Sequence, residues 1–433
     1  MVLNLPRLRG RASGDAVTDF RFLHAADIHL DSPLHGLSSY EGLPEGEIRG
    51  ATRAAFDNLV RRAIEEAVDF VVIAGDLFDG DWKDMGTGLY FARKMGDLNQ
   101  ANIPVFLIAG NHDAASVISR SIPWPPNVRL FGNRKPETHL LADLGVAVHG
   151  QSFSTPAVTD NLVLAYPERA EHHFNIGMLH TALAGRAGHA AYAPCSLDDL
   201  KAKRYDYWAL GHVHEYEMVS ERPHVVFPGN IQGRTIRETG PKGAVIVSVH
   251  DAQVEAVDRI ELDVLRWMSV EVDCADATPD TVPERMRAAL VKAWQAQAQG
   301  LPVVARLSLT GETDEAGALL NGAATLRDVA RAMAAGISPD VFIEKVRVRV
   351  RPKPQGTGPA VGEDFVSLIE QAATDPRLAA LLAEDLDPFL LVTRTGLDPA
   401  EATDLRLSAG EGEWGVVLEA ATLALRSRLM QAA

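Results

Sequence analysis

The sequence contains too few cysteines for a disulfide-stabilised protein and no apolar run long enough for a membrane-spanning one. Its 433 residues include only Cys195 and Cys274, too few for a disulfide framework and not in metal-ligand spacing. No stretch approaches 18 consecutive apolar residues, so a membrane-spanning helix is not expected. Residues 1–19 have a short apolar stretch beside three arginines, unlike a secretory signal, and are predicted to be a mobile extension. We therefore expect a cytoplasmic protein without membrane attachment.

Positive charge is also scarce. The chain has 42 basic against 58 acidic residues, a net charge of −16, whereas proteins that bind nucleic acid usually present a basic surface. The excess is unevenly distributed, because residues 355–433 alone carry 5 basic and 13 acidic residues. Half of the net charge therefore lies in this last segment, and charge alone predicts weak binding of nucleic acid that depends on a partner.

The remaining composition is that of an ordinary globular protein, with 46% hydrophobic and 23% charged residues, and the length suggests two or three domains. From residue 20 onward, buried apolar strands alternate with amphipathic helices predicted at Glu47–Ala67 and Leu89–Gln100. Strands that alternate with helices are typical of an α/β domain with a largely parallel sheet. We assign residues 20–260 to this domain.

The pattern changes after this domain. Strands at Leu265–Val272, Val303–Thr310 and Val341–Arg351 alternate with two predicted helices, which indicates a small α+β domain over residues 261–354. A segment rich in proline and glycine begins at Pro352, and the rest of residues 355–433 consists of a linker and short amphipathic helices. We expect this last segment to bind a protein partner.

Side chains that bind metals follow the predicted strands of the first domain. In α/β sheets, binding sites form at the carboxyl ends of strands. A single aspartate or asparagine in this position is usually a turn residue, and a single histidine is usually structural. A metal site is therefore predicted by the whole ordered set D-x-H, GD-x-x-D, GNHD, H and G-H-x-H, and not by any single member. The set contains Asp27, His29, Asp76, Asn111, His112, Asp113, His180, His212 and His214.

This set resembles the two-metal calcineurin-like phosphoesterases. The resemblance implies a four-layered α/β/β/α sandwich and two divalent cations, most suitably Mn²⁺, with Fe²⁺ or Zn²⁺ as alternatives. It also implies that the cations clamp a phosphate and activate the attacking water. The implied ligands are Asp27, His29 and His214 for one cation, Asn111, His180 and His212 for the other, and Asp76 for both. His112 would contact the scissile phosphate, and Asp113 would orient His112.

The residues around these motifs resemble DNA repair exonucleases, namely the SbcD nuclease subunit and its relatives, in particular the YhaO-type branch. The similar stretches are HAADIHLDSPL, AGDLFDGDWKDMGTGLYF and FPGNIQGRTIRETGPKGA. This resemblance implies a Mn²⁺-favouring DNA exonuclease and endonuclease, a homodimer, and an SMC-like coiled-coil ATPase as partner. The alternative is a stand-alone phosphodiesterase or phosphatase acting on a nucleotide or another small phosphoester. A subunit whose active site has decayed is disfavoured, because every position of the set is intact.

Two groups of basic residues are candidates for contacts with DNA. Arg234, Arg237 and Lys242 follow the metal-site motifs, although surface salt bridges explain them equally well. The second group alternates with valines, so that on a strand its cations share one face, as in proteins that bind phosphate backbones. A charged strand that prevents edge-to-edge aggregation is the alternative explanation. This cationic stripe consists of Lys345, Arg347, Arg349, Arg351 and Lys353.

Overall fold

The computed structural model describes residues 17–32, 45–79, 84–115, 124–183 and 192–353, together with short parts of residues 368–425. The described residues divide into two compact units. The first reaches from residue 17 to Leu265, apart from Glu45 and Thr235–Gly240, and the second contains these residues and the described residues from Arg266 onward. Residues 1–16 of the predicted extension, and most of the predicted linker and helical segment at 355–433, lie outside the described residues.

The first unit contains two six-stranded sheets among its described residues. In chain order its strands are β1 (Phe20–Ala25), β2 (Phe70–Ala74), β3 (Val105–Ile108), β4 (Val128–Leu130), β5 (Glu137–Leu141), β6 (Val146–Gly150), β7 (Phe174–His180), β8 (Tyr207–Gly211), β9 (Glu217–Glu221), β10 (His224–Phe227), β11 (Gly243–His250) and β12 (Gln253–Glu261). Its helices are α1 (Glu45–Glu65), α2 (Met85–Gln100), α3 (Asn111–Ala115) and α4 (Leu197–Ala202), with a 3₁₀ helix at Leu162–Ala165.

The strand order places the parallel strands in the middle of each sheet. The first sheet has the order β12-β11-β1-β2-β3-β4, in which β1 to β4 are parallel and β11 is antiparallel to β1. The second has the order β5-β6-β7-β8-β10-β9, in which β6, β7, β8 and β10 are parallel. Because parallel strands end at one edge of a sheet, the loops after β1, β2, β3, β7 and β8 are the natural places for a site.

The two sheets pack face to face between layers of helices. Phe22 and Phe70 of the first sheet share one apolar cluster with Phe174 and Tyr207 of the second. The outer face of the first sheet packs against α1 and α2, and that of the second packs against α4 and the 3₁₀ helix. β2, with the sequence FVVIA, is buried along its whole length, as expected of a strand covered on both faces. The predicted α/β/β/α sandwich is confirmed.

The second unit contains a parallel three-stranded sheet, in the order β13-β14-β15. Its elements are β13 (Arg266–Asp273), α5 (Val282–Gln297), β14 (Val303–Thr310), α6 (Ala316–Asn321), α7 (Ala323–Ile337) and β15 (Val341–Val348). Met286 and Leu290 of α5, with Ala330 and Ala334 of α7, pack on one face of the sheet. None of the helices described in either unit is long and apolar enough to cross a membrane.

A buried histidine joins the two sheets of the first unit. His24 on β1 makes a 3.0 Å hydrogen bond through Nδ1 with the Tyr207 hydroxyl on β8. Its Nε2 lies 3.2 Å from the carbonyl oxygen of Leu210. Burial lowers the pKa of His24 to about 3, and the hydrogen bond to Leu210 offsets only part of this effect. The imidazole is therefore neutral in the folded protein near neutral pH.

This low pKa predicts a pH-dependent loss of stability. Below pH 6.5 the unfolded chain binds a proton at His24 that the folded chain does not, so stability falls as the pH falls towards the folded pKa of about 3. Relative to a His24→Gln variant, the metal-free wild type should lose about 1.4 kcal/mol of unfolding free energy per pH unit in this range. Urea unfolding at pH 7, 6 and 5 measures the difference, and a constant difference would contradict the assignment.

Candidate metal centre

The predicted metal ligands follow five parallel strands of the two sheets. Asp27 and His29 come after β1, and Asp76 comes after β2. Asn111 is the first residue of α3, which follows β3 after a loop of two residues. His180 is the last residue of β7, and His212 and His214 follow β8. Both sheets therefore contribute side chains at the edge where their parallel strands end.

Left-handed backbone conformations turn several of these residues toward one another. The φ angles are 50° at Asp27, 45° at His29, 52° at Asp76 and 100° at His212, values that non-glycine residues rarely adopt. All four residues lie in loops and not on a pleated strand, because β1 ends at Ala25, β2 ends at Ala74 and β8 ends at Gly211. Four of the candidate ligands thus have a backbone conformation of the kind that recurs at functional sites.

The first group of candidate ligands contains Asp27, His29 and His214. Their ligand atoms all lie within 4.8 Å of one another. The Nε2 atoms of His29 and His214 are 3.3 Å apart, and Nε2 of His214 is 3.8 Å from Oδ1 of Asp27. Both oxygens of Asp27 also accept hydrogen bonds from the backbone N–H of His212, at 3.1 and 2.9 Å. This hydrogen bond joins the loop after β1 to the loop after β8.

The second group contains Asp76, His180 and His212, again with ligand atoms within 4.8 Å of one another. Nε2 of His180 lies 3.4 Å from Oδ2 of Asp76 and 2.9 Å from Oδ1 of Asn111. The same Asp76 oxygen is 3.8 Å from Nε2 of His29, which belongs to the first group. Asp76 thus lies between the two groups, where one carboxylate is able to serve both cations.

The hydrogen-bond partners of His29 and His180 fit bound cations. Nδ1 of His29 lies 2.6 Å from a carboxylate oxygen of Asp79, and Nδ1 of His180 lies 3.0 Å from the carbonyl oxygen of Ala74. Both acceptors favour a proton on Nδ1, so the neutral form of each imidazole has its lone pair on Nε2, where a cation would bind. Lone pairs and acceptor oxygens that face one another repel unless a proton or a cation lies between them. Imidazole and carboxylate ligands suit Mn²⁺, Fe²⁺ or Zn²⁺.

Glycines directly before the ligands allow this close packing. A Cβ atom on Gly110 would lie 2.3 Å from Oδ1 of Asp76 and 2.8 Å from Cε1 of His180. A Cβ atom on Gly75, whose φ is +97°, would lie 2.5 Å from Nδ1 of His180. Side chains at either position would displace Asp76 or His180. This explains why the motifs GD and GNHD begin with glycine.

His112 lies beside the two groups and is held by Asp79. Its Nδ1 is 3.1 Å from Oδ1 of Asp79, the oxygen that also meets His29, and 45% of its side chain is exposed. The prediction that Asp113 orients His112 was wrong. Asp113 is buried, and its oxygens accept hydrogen bonds from the backbone N–H groups of Leu77, Phe78 and Gly110. Asp113 therefore shapes the loop after β2, and Asp79, the last residue of GD-x-x-D, was missed.

The pKa values of these groups follow their burial and charges. Burial disfavours ionised Asp76, but the imidazoles of His180 and His29 outweigh it and hold the pKa of Asp76 well below its usual range. Burial lowers the pKa of His180, but the charge of Asp76 prevails and raises it to about 9. Burial, together with the charge of Asp76, raises the pKa of Asp113 to about 7 despite its three backbone donors. Of these two carboxyl groups, Asp76 is therefore the one that stays ionised over the whole neutral range.

The basic residues predicted near the motifs have different surroundings. Arg234 adjoins the site, because its guanidinium is 3.4 Å from Nδ1 of His214 and 3.8 Å from Oδ2 of Asp79, with 17% of the side chain exposed. Arg237 is exposed and belongs to the second unit. The prediction that Lys242 contacts DNA was wrong. Its side chain is 2% exposed, and its Nζ donates to the His214 carbonyl and to Glu215.

The cationic stripe begins on β15. Val346 and Val348 pack against the core of the second unit and Val350 is buried, so the valines point inward as predicted. The register shift of β15 against β14 falls at Glu344, which makes a buried ion pair with Arg306. Arg349 and Arg351 continue the pairing through backbone hydrogen bonds beyond the strand. Lys353 forms ion pairs with Asp276 and Asp314.

Loss of the Asp79 charge should weaken the site. An Asp79→Asn variant keeps the size of the side chain but replaces the charge-assisted hydrogen bonds to His29 and His112 with weaker neutral ones. We expect the affinity for the bound cation to fall about 10–100-fold, as for other carboxylates that orient ligand histidines. Titration of the metal-free protein with Mn²⁺ measures the effect. Asp97→Asn, which changes an exposed carboxylate of α2, is the matched control, and an equal loss in both variants would contradict this role.

Comparison with known proteins identifies the family. The model of the calcineurin-like phosphoesterase family matches residues 20–216, and a model described as the middle domain of metallophosphoesterase YhaO matches residues 267–351. The uncharacterized metallophosphoesterase YhaO of Bacillus subtilis (strain 168) is 36% identical over 306 residues, which cover 69% of this chain and 74% of that protein.

Solved structures give weaker similarities. TT1561 of Thermus thermophilus has 15% identity and a TM-score of 0.33, and the match covers 57% of this chain and 100% of that one. A dimetal phosphatase from Danio rerio has 13% identity and a TM-score of 0.33, with coverage of 56% and 97%. The family assignment rests on the sequence matches. Together with the ligand groups after β1, β2, β3, β7 and β8, they show that the chain belongs to the calcineurin-like metallophosphoesterase family and is homologous to YhaO.

Proposed function

We propose that this metallophosphoesterase is a DNA exonuclease and endonuclease that hydrolyses phosphodiester bonds in DNA repair. The observation that carries the proposal is the arrangement of two adjoining ligand groups with the half-exposed His112 and the guanidinium of Arg234. Two divalent cations held by such groups would supply Lewis acidity and would activate a water for attack on phosphorus. The resemblance of the flanking sequences to DNA repair exonucleases supports DNA as the substrate.

The residues of the chain have distinct parts in this reaction. Asp79 accepts the proton on Nδ1 of His112, so that Nε2 is the nitrogen available to give a proton to the leaving oxygen. Arg234 provides fixed donors for the non-bridging oxygens of a phosphate, the geometry for which guanidinium groups are suited. Asp113 holds the loop between Asp76 and Asp79 by its backbone, and so fixes both carboxylates.

The cationic stripe supports a polymeric anion as substrate. Lys345 and Arg347 alternate with valines that face the core, an arrangement that suits contacts with a phosphate backbone without reading its sequence. The net charge of −16 opposes strong DNA binding by the isolated chain. We therefore also propose that the chain works as a homodimer with an SMC-like coiled-coil ATPase in the cytoplasm, uses Mn²⁺, and binds the ATPase through residues 355–433.

The substrate is tested with purified protein, Mn²⁺ and two substrates. We expect degradation of end-labelled linear duplex DNA and hydrolysis of bis-p-nitrophenyl phosphate, both lost on addition of EDTA. An Arg347→Gln/Arg349→Gln variant should cleave DNA more slowly and hydrolyse the small diester at the wild-type rate. The salt dependence of its DNA binding should become shallower by about one unit of log slope for each phosphate contact removed.

The opposite result would favour a small phosphoester as substrate. Hydrolysis of bis-p-nitrophenyl phosphate without DNA degradation, by the chain alone and with its ATPase partner, would contradict the nuclease proposal. It would leave the metallophosphoesterase assignment intact, because that assignment does not depend on the substrate. Equal loss of both activities in the Arg347→Gln/Arg349→Gln variant would show that the cationic stripe acts on the fold and not on DNA.

A further inference from the structure

Lys242 is a buried lysine beside the metal centre with no part in the reaction described above. Lysine side chains are rarely this buried unless they are paired. Its Nζ donates at 2.9 Å to the carbonyl oxygen of His214 and at 2.8 Å to Oε1 of Glu215. Glu215 is largely exposed, so the hydrogen bond to the main chain of His214 is the contact that lies within the protein.

The carbonyl oxygen of His214 accepts hydrogen bonds from two residues of one segment, 230–242. Besides Nζ of Lys242, the backbone N–H of Asn230 donates to it, at 3.4 Å. Asn230 in turn accepts a hydrogen bond from the N–H of Gly243, at 3.1 Å. A Cβ atom at Gly229, where φ is +79°, would lie 3.1 Å from the same carbonyl oxygen, so the chain approaches it closely. The loop that carries His214 is thus held through its backbone.

Lys242 is itself anchored to the first sheet. Its carbonyl oxygen accepts hydrogen bonds from the N–H groups of Leu262, at 2.9 Å, and Asp263, at 3.3 Å. It directly precedes β11, which pairs with β1, the strand that leads to Asp27 and His29. His214, by contrast, follows β8 of the second sheet. The first ligand group therefore contains residues that follow strands of both sheets. Lys242 precedes a strand of the first sheet, and its side chain contacts the loop after β8 of the second sheet.

We propose that Lys242 is a positioning residue that fixes His214 relative to Asp27 and His29, and so sets the affinity of this group for its cation. A role in DNA contact does not account for the burial of Nζ. An ion pair with Glu215 alone does not account for it either, because ion pairs with exposed groups contribute little. The inference rests on the metal-dependent phosphoesterase activity but not on DNA as the substrate.

The test is Mn²⁺ binding to the metal-free protein, measured by calorimetry and by the electron paramagnetic resonance of free Mn²⁺. Lys242→Met keeps the length of the stem and removes the donors. One of the two binding steps should weaken about 10–100-fold, as expected when a residue that supports a ligand is lost. Glu215→Gln removes the ion pair but keeps the hydrogen bond to His214, and should change either step less than about threefold. Lys201→Met, a substitution at an exposed position of α4, should behave as wild type.

Each outcome decides the proposal. Wild-type Mn²⁺ affinity at both steps in Lys242→Met, with an unchanged far-ultraviolet circular dichroism spectrum, would overturn it. Equal weakening in Glu215→Gln would assign the effect to the ion pair and would also overturn it. If Lys242→Met does not fold, Lys242→Gln is measured in the same way, and failure of both to fold would show that Lys242 serves the fold and not the cation. None of these readings depends on DNA cleavage, so they are independent of the nuclease proposal.

Discussion

An Asp76→Asn variant should lose tight binding of both cations, and its phosphoesterase activity should fall about 1,000-fold or more. Oδ2 of Asp76 lies 3.4 Å from Nε2 of His180 and 3.8 Å from Nε2 of His29, so it faces a histidine of each ligand group. Its other oxygen accepts a hydrogen bond from the backbone N–H of His112, at 3.0 Å. Asparagine keeps the shape and this hydrogen bond but removes the one charge that both groups share.

Metal content and activity must be measured on the same samples. Elemental analysis after dialysis should give two cations per chain in the wild type and less than one in Asp76→Asn. Asp19, His250 and Asp251 form an exposed cluster of metal-capable groups and provide the control for adventitious binding. Asp19→Asn should leave both the stoichiometry and the activity unchanged. Two tightly bound cations in Asp76→Asn would show that the two groups do not share this carboxylate.

Much of the fold follows from local patterns in the sequence. Apolar runs between turn residues predicted the buried strands well, and the strand predicted at Val303–Thr310 coincides with β14. An apolar run does not always form a strand, because residues 162–165 form a 3₁₀ helix with Asn161 as its N-cap. Strands such as β5 and β9 were not predicted, because edge strands with half-exposed residues lack a continuous apolar run.

The contacts within the site were harder to predict than its members. GD-x-x-D contains Asp79, but only the folded chain shows that its carboxylate meets His29 and His112. Asp113 adjoins His112 in sequence, yet α3 turns it toward the backbone of the loop after β2. The sequence around Lys242 is typical of an exposed cation, but in the structure the loop after β8 buries its side chain. The contacts of Asp79 with His29, of Asp113 with Leu77 and of Lys242 with His214 span 50, 36 and 28 residues, which local sequence does not reveal.

A His112→Asn variant should keep both cations and lose about 10²–10⁴-fold in kcat, the usual contribution of a general acid. A ligand atom of His112 lies within 4.8 Å of those of His29 and Asp76, but its Nδ1 is held by Asp79. The side chain is half-exposed, whereas His29 and His180 are buried. Its imidazole is therefore the one placed to meet a substrate, and asparagine cannot replace its proton transfer.

The choice of leaving group separates proton donation from simple positioning of the phosphate. Nitrophenolate departs without a proton, whereas an alkoxide needs one, so His112→Asn should lose at least about tenfold more kcat on an alkyl phosphoester than on the matching nitrophenyl ester. Because Asp79 holds Nδ1 of His112, an Asp79→Asn variant should also lose more kcat on the alkyl ester than on the nitrophenyl ester, by a smaller factor than His112→Asn. An equal loss on both esters would assign His112 to phosphate binding alone. A parallel loss of cations would instead place it among the metal ligands.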